Sequence, residues 1–586
     1  MPLKPMPIGI DDFEKMITEG YYYVDKTLLI KELLEKKGEV NLFMRPRRFG
    51  KTLNMSMLQY FFEDTGDEAK NQSYAALFRG LKITENGESV LAHQNRYPTI
   101  SLTFKSAKQP VWEMAYDCLK DAIRSEYKRH RFVLEQLDLE EDRRRFSDIL
   151  DRKGRDQDYV TAIQFLAECL YQVYGKPVII LIDEYDVPLE NAYFSGFYDK
   201  MSSMIRSLLE SALKTNPHLA FAVITGCLRI TKESIFTGLN NLEMISILDA
   251  SYDEYFGFTQ VEVDEILQDY GMISCRDRIR EWYDGYLFGK TEVYNPWSVT
   301  NYVKALSFDK EALPQPYWGN TSSNQIVRNL VERADISIRH DLEVLTGGGS
   351  IELPVHEDIT YDSIYDSEHN LWNVLFFTGY LKQVSQRMEG RNRMVSLKIP
   401  NEEVAYIFEN TISAWFRDRM EKDDLTGLWN ALKEGDGATM QAELNRLLQE
   451  SISYMDSKEA FYHGFLLGVL SPMGDCLVKS NREAGNGRLD IIVRSLDIRK
   501  TPAVLELKVS DSHRRLEASC DKALEQIQDL HYSDWLEEEG YQAVWEYGIA
   551  FFRKQCAVKV RLRKFDDDGK GSLILNRTAG RQGTSG

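Results

Sequence analysis

The stretch NLFMRPRRFGKTLNMSML, residues 41–58, constrains the fold more than any other part of the chain. A short apolar run leads into an arginine-rich turn, and an apolar helical run follows from GKT onward. A phosphate-binding loop requires this order, because its backbone N–H groups and the following helix N-terminus bind phosphate oxygens. The pattern G-x-x-x-x-G-K-[ST] places glycine at position 45, where this chain has Arg45. The stretch is therefore either a nucleotide site or a basic surface turn.

The residue types after Arg45 favour a nucleotide site. Lys51 can reach the outer phosphates, and the Thr52 hydroxyl can hold Mg²⁺. Arg45 and Pro46 cannot adopt positive φ at low cost, so the turn is restricted. Arg47 and Arg48 either compensate with positive charge or face a neighbouring subunit or DNA. The residues predicted to contact the nucleotide in this loop are Arg47, Arg48, Phe49, Gly50, Lys51 and Thr52.

A second segment, PVIILIDEYD (177–186), supports the same interpretation. Its continuous apolar run is typical of a strand that is buried on both faces. Asp183 at the end of that strand can coordinate Mg²⁺, and Glu184 can polarise an attacking water. The alternative is a capping aspartate followed by a surface glutamate. We interpret Asp186 as a loop or capping carboxylate.

The strand AFAVITG (220–226) ends in a polar residue, as a third candidate element beside the GKT loop and the strand that ends at Asp183. Thr225 at its end is placed to sense the γ-phosphate. Arg229, just beyond, either supplies positive charge to the transition state or neutralises an acidic side chain, and the sequence leaves both open. Since strands alternate with helices throughout this region, we expect a parallel sheet covered on both sides.

Five segments in order resemble the AAA-ATPase-like family of bacterial and archaeal proteins. The resemblance covers about residues 5–300, and in that family the loop commonly reads RPRRFGKT. It implies a P-loop ATPase fold of the type with an additional strand between the Walker A and Walker B strands. It also implies ATP as the cofactor, and nucleotide binding more firmly than turnover. The segments are VDKTLLIKELL (24–34), MRPRRFGKTLNMSML (44–58), IDEYDVPL (182–189), TGCLRITKESIFTGLNNL (225–242) and WYDGYLFGKTEVYNPWSV (282–299).

A different chemistry is indicated by GRLDIIVRSLDIRKTPAVLELKVS near the C-terminus. Asp490 lies within one apolar strand, and Glu506 and Lys508 lie on the next. Side chains two apart on a strand share a face, so Glu506 and Lys508 point the same way. If the strands pair as a hairpin, Asp490 approaches Glu506, and the two carboxylates suit Mg²⁺ or Mn²⁺. Lys508 can then position the attacking water or stabilise the phosphate.

This D-x₁₅-E-x-K pattern resembles the PD-(D/E)xK nuclease superfamily over roughly 455–560. The proline of the signature is absent, because Arg488 and Leu489 precede Asp490. The resemblance assigns catalytic roles to Glu459 on the upstream helix and to Gln526 on the helix after the E-x-K strand. Basic residues that can follow a phosphate backbone cluster in the same region. They are Lys479, Arg482, Arg488, Arg499, Lys500, Arg514 and Arg515.

The composition limits the partners. The 586 residues carry 72 Lys and Arg against 91 Asp and Glu, a net charge of −19, so general nucleic-acid binding over the whole surface is not expected. Seven cysteines include no C-x-x-C pair, and no apolar run reaches the roughly 18 residues of a membrane span. We expect a cytoplasmic protein without a membrane partner. Nucleic acid, DNA ahead of RNA, is the predicted partner, and a homo-oligomer stays open.

The predicted fold class is α/β. It comprises a P-loop domain over residues 1–290, a mostly helical middle over 291–450 with helices near 401–421 and 427–450, and a restriction-endonuclease-like α/β domain over 451–565. Residues 566–586 are predicted to be a disordered tail.

The predicted function is an ATP-binding, slowly hydrolysing protein with a metal-dependent nuclease domain, and analogy suggests defence or mobile-element biology. The alternative is a nucleotide-switched regulatory or scaffold protein with an inactive nuclease fold. His463 is either a core histidine or part of the nuclease site. Trp282, Tyr283 and Tyr286 either stack on a base or pack after the ATPase core.

Overall fold

A computed structural model describes residues 3–214, 216–228, 235–236, 238–319, 327–328, 330, 332, 336–356, 367–420, 424–450, 459–484, 487–495, 497, 499–565 and 572–577. The chain divides into two compact units. The first comprises residues 1–326 and 350–407, and the second comprises 327–349 and 408–586. The domain boundaries after residues 290, 450 and 565 stay predictions.

Seventeen strands are present in the described part of the chain, in four sheets. They are β1 (Val40–Met44), β2 (Thr99–Thr103), β3 (Val178–Asp183), β4 (Leu219–Gly226), β5 (Leu242–Ile245), β6 (Phe258–Thr259), β7 (Tyr286–Phe288), β8 (Thr291–Tyr294), β9 (Ile351–Pro354), β10 (Lys382–Glu389), β11 (Asn392–Lys398), β12 (Cys476–Ala484), β13 (Gly487–Ser495), β14 (Ala503–Val509), β15 (Ala543–Phe552), β16 (Gln555–Lys564) and β17 (Ser572–Arg577).

The α-helices follow in chain order, and short 3₁₀ turns at Lys82–Glu85, Lys105–Ala107, Arg131–Glu135, Ile273–Cys275 and His513–Arg515 connect some of them. They are α1 (Phe13–Thr18), α2 (Leu28–Lys36), α3 (Lys51–Phe62), α4 (Glu68–Ala76), α5 (Glu88–Leu91), α6 (Trp112–Arg129), α7 (Glu140–Leu150), α8 (Asp156–Val160), α9 (Ala162–Tyr174), α10 (Val187–Ser195), α11 (Tyr198–Leu213), α12 (Gln260–Asp269), α13 (Arg276–Tyr283), α14 (Pro296–Phe308), α15 (Ile336–Thr346), α16 (Glu368–Phe377), α17 (Glu402–Met420), α18 (Thr426–Glu434), α19 (Gly437–Glu450), α20 (Glu459–Leu470), α21 (Leu516–Asp529) and α22 (Asp534–Glu538).

The first unit is built around a five-stranded parallel sheet in the order β2-β3-β4-β1-β5. Every residue of β1 and of β3 is buried, as their continuous apolar runs predict. β4 lies between β1 and β3, so the predicted additional-strand arrangement is confirmed. Because all five strands run the same way, the carboxyl ends of β1, β3 and β4 meet at one edge of the sheet. β5 was not predicted.

Helices predominate in the middle of the chain, as expected, and a three-stranded antiparallel sheet in the order β10-β11-β9 accompanies them. The helical segment predicted at 427–450 consists of two helices, α18 and α19. The break falls at Gly435, whose φ is 73°. A Cβ at this glycine would lie 2.4 Å from the Trp545 ring, so the close packing of that ring also requires glycine.

The second unit contains a six-stranded sheet in the order β12-β13-β14-β15-β16-β17. Only β14 and β15 pair in parallel, and the other neighbours are antiparallel. One face packs against α18, α19 and α20, and the other packs against α21 and α22. Ser572–Arg577, which lies within the predicted disordered tail, forms β17. Residues 566–571 and 578–586 of that tail lie outside the described residues.

No helix in the described part of the chain is both long enough and apolar enough to cross a lipid bilayer.

A buried carboxylate in the first unit makes its stability depend on pH. Glu403 on α17 is fully buried and accepts hydrogen bonds from the Ser298 hydroxyl and the Trp318 N–H. Burial raises the pKa of Glu403 to about 7. Because this folded-state pKa lies above the unfolded value, the stability contribution is present at low pH and is lost as pH rises towards 7.

We expect Glu403→Gln to flatten this dependence. Between pH 5 and pH 8 the wild-type free energy of unfolding should lose up to about 3 kcal/mol that the variant retains. Urea unfolding at pH 5, 6, 7 and 8 measures the difference, with the exposed neighbour Glu402→Gln as the matched control. Parallel pH curves for wild type and Glu403→Gln would contradict this assignment.

Candidate functional site

The loop between β1 and α3 has the backbone of a phosphate-binding loop. The Arg45 N–H donates to Gly226 O and so extends the pairing of β1 with β4 by one residue. Positive φ occurs at Arg48 (69°) and at Gly50 (82°), whereas the sequence pattern places it at position 45. Gly50 precedes α3, and no described side chain caps that helix. Its first N–H groups therefore remain available to phosphate oxygens.

Arg45 stands at the missing glycine, and its side chain points away from the loop into the core. The guanidinium is fully buried and donates to Met44 O and Ile245 O at 3.0 Å, and to Tyr252 O at 3.4 Å. It also lies over the Phe256 and Phe288 rings. Burial lowers the pKa of Arg45 to about 10. Arg45 is therefore a structural residue of the loop.

Lys51 is almost completely buried and folds back onto its own loop. Its Nζ donates to Arg45 O and Pro46 O, both at 2.8 Å, and lies 3.6 Å from Cys227 Sγ. An ammonium held by two carbonyl oxygens is preorganised at the centre of the loop. To bind a phosphate, Lys51 has to redirect at least one of its three N–H donors, which now face Arg45 O, Pro46 O and Cys227 Sγ, to a phosphate oxygen.

The polar ends of three elements meet beside Lys51, as the sequence predicts. The Thr52 hydroxyl donates to Asp183 Oδ2 at 2.8 Å, and the Thr225 hydroxyl donates to Asp183 Oδ1. Burial raises the pKa of Asp183, and the hydrogen bond from Thr225 opposes the rise. Hard oxygen ligands of this kind suit Mg²⁺, so Thr52 and Asp183 are the residues that would hold it.

The other predicted nucleotide contacts differ in their surroundings. Glu184 lies at the same edge of the sheet with φ 53°, and its N–H donates to the Thr225 hydroxyl. Arg47 forms an ion pair with Glu190. The Arg48 guanidinium lies 4.4 Å from the Trp297 ring centroid, and burial lowers its pKa.

Two of the predicted nucleotide contacts, Phe49 and Arg229, offer no described side chain to a ligand. The Phe49 side chain is fully buried against the rings of Tyr286 and Phe288, so only its backbone can serve a ligand. Arg229 lies outside the described residues, and both of its predicted roles stay predictions.

A cavity of about 410 Å³ opens beside this loop. This volume falls within the range of small-molecule sites. Gly50, Lys51 and Thr52 line it, together with Arg47, Arg48 and Glu184. Aromatic residues that the sequence analysis missed line the same cavity, and they are Tyr22, Tyr23, Tyr255, Phe258 and Trp297.

The aromatic residues that the sequence analysis considered lie elsewhere. Tyr283 and Tyr286 are buried, and Tyr286 packs edge-on against Phe49. Trp282 packs against the apolar cluster around α12 to α14. These three aromatic residues therefore pack after the ATPase core, and they do not line the cavity in which a base could stack.

The second predicted site lies where two strands of the C-terminal sheet separate. β13 and β14 are paired from Val493 opposite Ala503 to Ile491 opposite Leu505. The ladder stops there, although both strands continue. The next residues are Asp490 and Glu506. Asp490 Oδ2 accepts the Leu507 N–H at 2.9 Å, so a carboxylate replaces the missing backbone partner.

Glu506 and Lys508 share a face of β14, as predicted, while Leu505 and Leu507 fill the core on the other face. The Glu506 side chain is 2% exposed, and its Oε1 accepts from Lys508 Nζ at 3.1 Å. Mg²⁺ sites commonly use one or two protein carboxylates together with substrate phosphates. Asp490 and Glu506 supply two such carboxylates. No described cluster of three or more His, Cys, Asp or Glu is arranged to hold a metal.

Gln526 on α21 contacts a residue that the sequence analysis missed. Its Nε2 lies 3.4 Å from the hydroxyl of Tyr532, which is nearly fully buried. Burial raises the pKa of Tyr532, the Gln526 contact lowers it, and the nearby negative charges of Glu506 and Asp490 raise it further. Tyr532 therefore belongs to the surroundings of the two carboxylates.

The remaining predicted residues of this site are only partly described. Glu459 begins α20, and its side chain lies outside the described residues. His463 on the same helix approaches Asp490 O with Nε2 at 3.0 Å, which ties α20 to the strand that carries Asp490. Among the predicted phosphate-backbone contacts, five are exposed: Lys479, Arg499, Lys500, Arg514 and Arg515. The side chains of Arg482 and Arg488 lie outside the described residues.

These features define the two folds. The first unit has the additional-strand sheet, loop and helix of a P-loop nucleoside triphosphatase. The second has the mixed sheet and D…E-x-K arrangement of a restriction-endonuclease-like domain. Family models agree with both: residues 7–236 match "Predicted AAA-ATPase", and residues 457–561 match the PD-(D/E)XK nuclease superfamily. The two matches fit a fusion, with similarity to the AAA-ATPase-like family over residues 7–236 and to the PD-(D/E)XK nuclease superfamily over residues 457–561.

A curated protein of Azotobacter chroococcum mcd 1, described as "Uncharacterized protein in vnfD 5'region", is similar to this chain over nearly its full length. The two are 27% identical over 572 residues, which cover 95% of this chain and 98% of the relative. No solved structure matches significantly.

Restoring the pattern glycine tests the structural role of Arg45. We expect Arg45→Gly to lower the free energy of unfolding of the first unit by about 3 kcal/mol, because buried carbonyls lose their donor. Thermal unfolding followed by calorimetry measures the change.

The matched control is Arg48→Gly in the same loop, which suits the positive φ there. Its effect should stay below about 1 kcal/mol. An Arg45→Gly protein as stable as wild type would contradict the role assigned to the guanidinium.

Proposed function

We propose that this protein binds ATP with Mg²⁺ at the β1–α3 loop and cleaves nucleic-acid phosphodiester bonds at Asp490, Glu506 and Lys508. The nucleotide half rests on one observation above all. Thr52, Asp183 and Thr225 form a connected oxygen cluster beside an uncapped helix N-terminus and Lys51. The nuclease half rests on Asp490 and Glu506 at the point where β13 and β14 separate.

At the nucleotide site, each side chain has a separate role. Lys51 and the N–H groups at the start of α3 bind phosphate oxygens, and Arg47 and Arg48 add positive charge around them. A Mg²⁺ held by Thr52 and Asp183 would neutralise the charge of the phosphates. Glu184 orients a water molecule, and Thr225 fixes both Asp183 and the Glu184 N–H. Because Lys51 is engaged by its own loop, we propose slow or conditional hydrolysis.

The aromatic lining of the cavity favours a nucleotide over inorganic polyphosphate. Aromatic rings offer flat apolar faces on which a base can stack. Trp297 is held in place by the Tyr317 carbonyl, which accepts from its Nε1 at 3.2 Å. A cavity that combines these rings with the phosphate loop fits a ligand that carries both a base and phosphates.

At the nuclease site, a divalent metal on Asp490 and Glu506 would polarise the scissile phosphate and the attacking water. The protein's own residues place the reacting groups. The Leu507 N–H fixes one oxygen of Asp490, and Lys508 is held beside Glu506 at 3.1 Å. From that position Lys508 Nζ can donate to the attacking water or to a phosphate oxygen. Gln526 and Tyr532 contact each other near the two carboxylates, and Gln526 and Glu459 are proposed to act with them.

The exposed lysines and arginines of the C-terminal unit are proposed to hold the nucleic-acid backbone, with DNA as the favoured substrate. By analogy we place such a protein in defence or mobile-element biology. The rival function, a nucleotide-switched scaffold with an inactive nuclease fold, is tested by the same experiment.

Loss of the Lys508 side chain should slow cleavage strongly. With Mn²⁺ or Mg²⁺, with and without ATP, wild type should cut linear DNA, circular DNA or RNA. Lys508→Ala should cut at least about a hundredfold more slowly, because a donor to the transition state is lost. Single-turnover rates on labelled substrates measure this, and Lys564→Ala, an exposed lysine at the end of β16, is the control.

Equal rates for wild type and Lys508→Ala would contradict the assignment of the site. Wild type that cuts no DNA or RNA under any of these conditions would favour the scaffold.

A further inference from the structure

Tyr185 and Asp186, which follow Asp183 and Glu184, hold the backbone of a neighbouring strand end. Asp186 Oδ2 accepts the N–H groups of Cys227 at 2.6 Å and of Leu228 at 3.1 Å. The Tyr185 hydroxyl donates to Leu228 O at 2.6 Å. Two consecutive side chains just after β3 thus bind both the N–H and the C=O of Leu228, in the backbone that leaves β4. We call Tyr185 and Asp186 the clamp.

The clamp is closely fitted to the strand that it holds. Tyr185 and Asp186 are both buried, and the Tyr185 N–H donates to Thr225 O. A Cβ at Gly226 would lie 2.5 Å from a ring carbon of Tyr185 and 3.1 Å from Asp186 Cγ. Glycine is therefore required here by close approach. Such packing leaves β4 little freedom to move without the clamp.

The phosphate loop also contacts this backbone, at Gly226, the last residue of β4, and at Cys227, the residue after it. The Arg45 N–H donates to Gly226 O, and Lys51 Nζ lies 3.6 Å from Cys227 Sγ. Lys51 must change its partners when a phosphate binds. Its contact with Cys227 is therefore expected to change at the same moment.

The hydrogen bonds of the clamp stabilise only one of the two carboxylate oxygens of Asp186. Oδ2 accepts two N–H groups, while the buried Oδ1 has no hydrogen-bond partner among the described residues. Burial raises the pKa of Asp186, and the Cys227 N–H and the Lys51 ammonium oppose the rise. Lys51 thus stabilises Asp186 through space, and a phosphate that recruits this ammonium changes the stabilisation.

We propose that Tyr185 and Asp186 are positioning residues. They couple the binding of a phosphate by Lys51 to the backbone of Cys227 and Leu228, which follow β4. This inference rests on the proposed nucleotide binding. Neither Tyr185 nor Asp186 is among the described residues that line the cavity. The clamp fixes the backbone of Cys227 and Leu228, so these two residues respond when Lys51 changes its partners.

The amide hydrogens of Cys227 and Leu228 report the clamp directly, because Asp186 accepts both. Hydrogen–deuterium exchange with residue-level fragmentation is measured on full-length protein, with and without ATP·Mg²⁺. In wild type we expect ATP·Mg²⁺ to change the exchange rate of these two amides by about tenfold.

In Asp186→Asn we expect fast exchange that ATP·Mg²⁺ alters by less than about twofold, with the ATP Kd by calorimetry within about threefold of wild type. Tyr185→Phe removes one hydrogen bond and keeps the ring, so it should give a smaller change in the same direction. It also provides the test if Asp186→Asn fails to fold. Asp199→Asn, at an exposed position on α11, is the control.

The outcomes separate the two claims. Wild type that binds no ATP overturns the proposed nucleotide function and the clamp with it. Wild type that binds ATP without a change in exchange at Cys227 and Leu228 overturns the clamp alone. Variants that keep the wild-type response also overturn the clamp alone. Variants that lose ATP affinity more than about tenfold do the same, because Tyr185 and Asp186 would then belong to the binding site itself.

Discussion

The buried guanidinium of Arg45 is the interaction on which the N-terminal site depends. It joins the end of β1 to the end of β5 and to Tyr252 through three backbone carbonyls. A glycine at this position could not make these bonds, and a lysine could not match their directions. The loop consequently starts from a fixed point, and its positive φ angles fall at Arg48 and Gly50. The departure from the common loop pattern is thus compatible with a helix N-terminus and a lysine arranged for phosphate.

Both candidate sites lie where the hydrogen-bond ladder of a sheet ends. In the first unit, β1, β3 and β4 end together, and the hydroxyls of Thr52 and Thr225 both donate to Asp183 there. In the second, β13 and β14 separate, and the Asp490 carboxylate accepts the N–H of Leu507 in place of a backbone carbonyl. A strand end leaves backbone groups without strand partners, and polar side chains that satisfy them are also placed to bind a ligand.

Local pattern was sufficient to predict the position of a residue on its own element, while the roles stay proposals. Asp183 ends a buried strand, Thr52 lies in the first turn of a helix, and Glu506 and Lys508 share one face of a strand, as the sequence predicts. Arg45 and Phe49 could not be assigned in this way, because their partners at Ile245 and Phe288 lie some 200 residues or more away in the chain. The same holds for Tyr22 and Trp297, which only the folded chain brings to one cavity. β5 and β12 carry weak patterns of their own and are defined by the strands they pair with.

The central claim, that a loop lacking its first glycine binds a nucleotide through Lys51, is tested most directly by calorimetric titration of the full-length protein with ATP and Mg²⁺. We expect saturable binding by wild type at one site per chain. We expect binding at least about tenfold weaker for Lys51→Ala, and unchanged binding for the exposed-lysine control Lys70→Ala. Wild type that releases no heat of binding, or Lys51→Ala that binds as tightly as wild type, would contradict it.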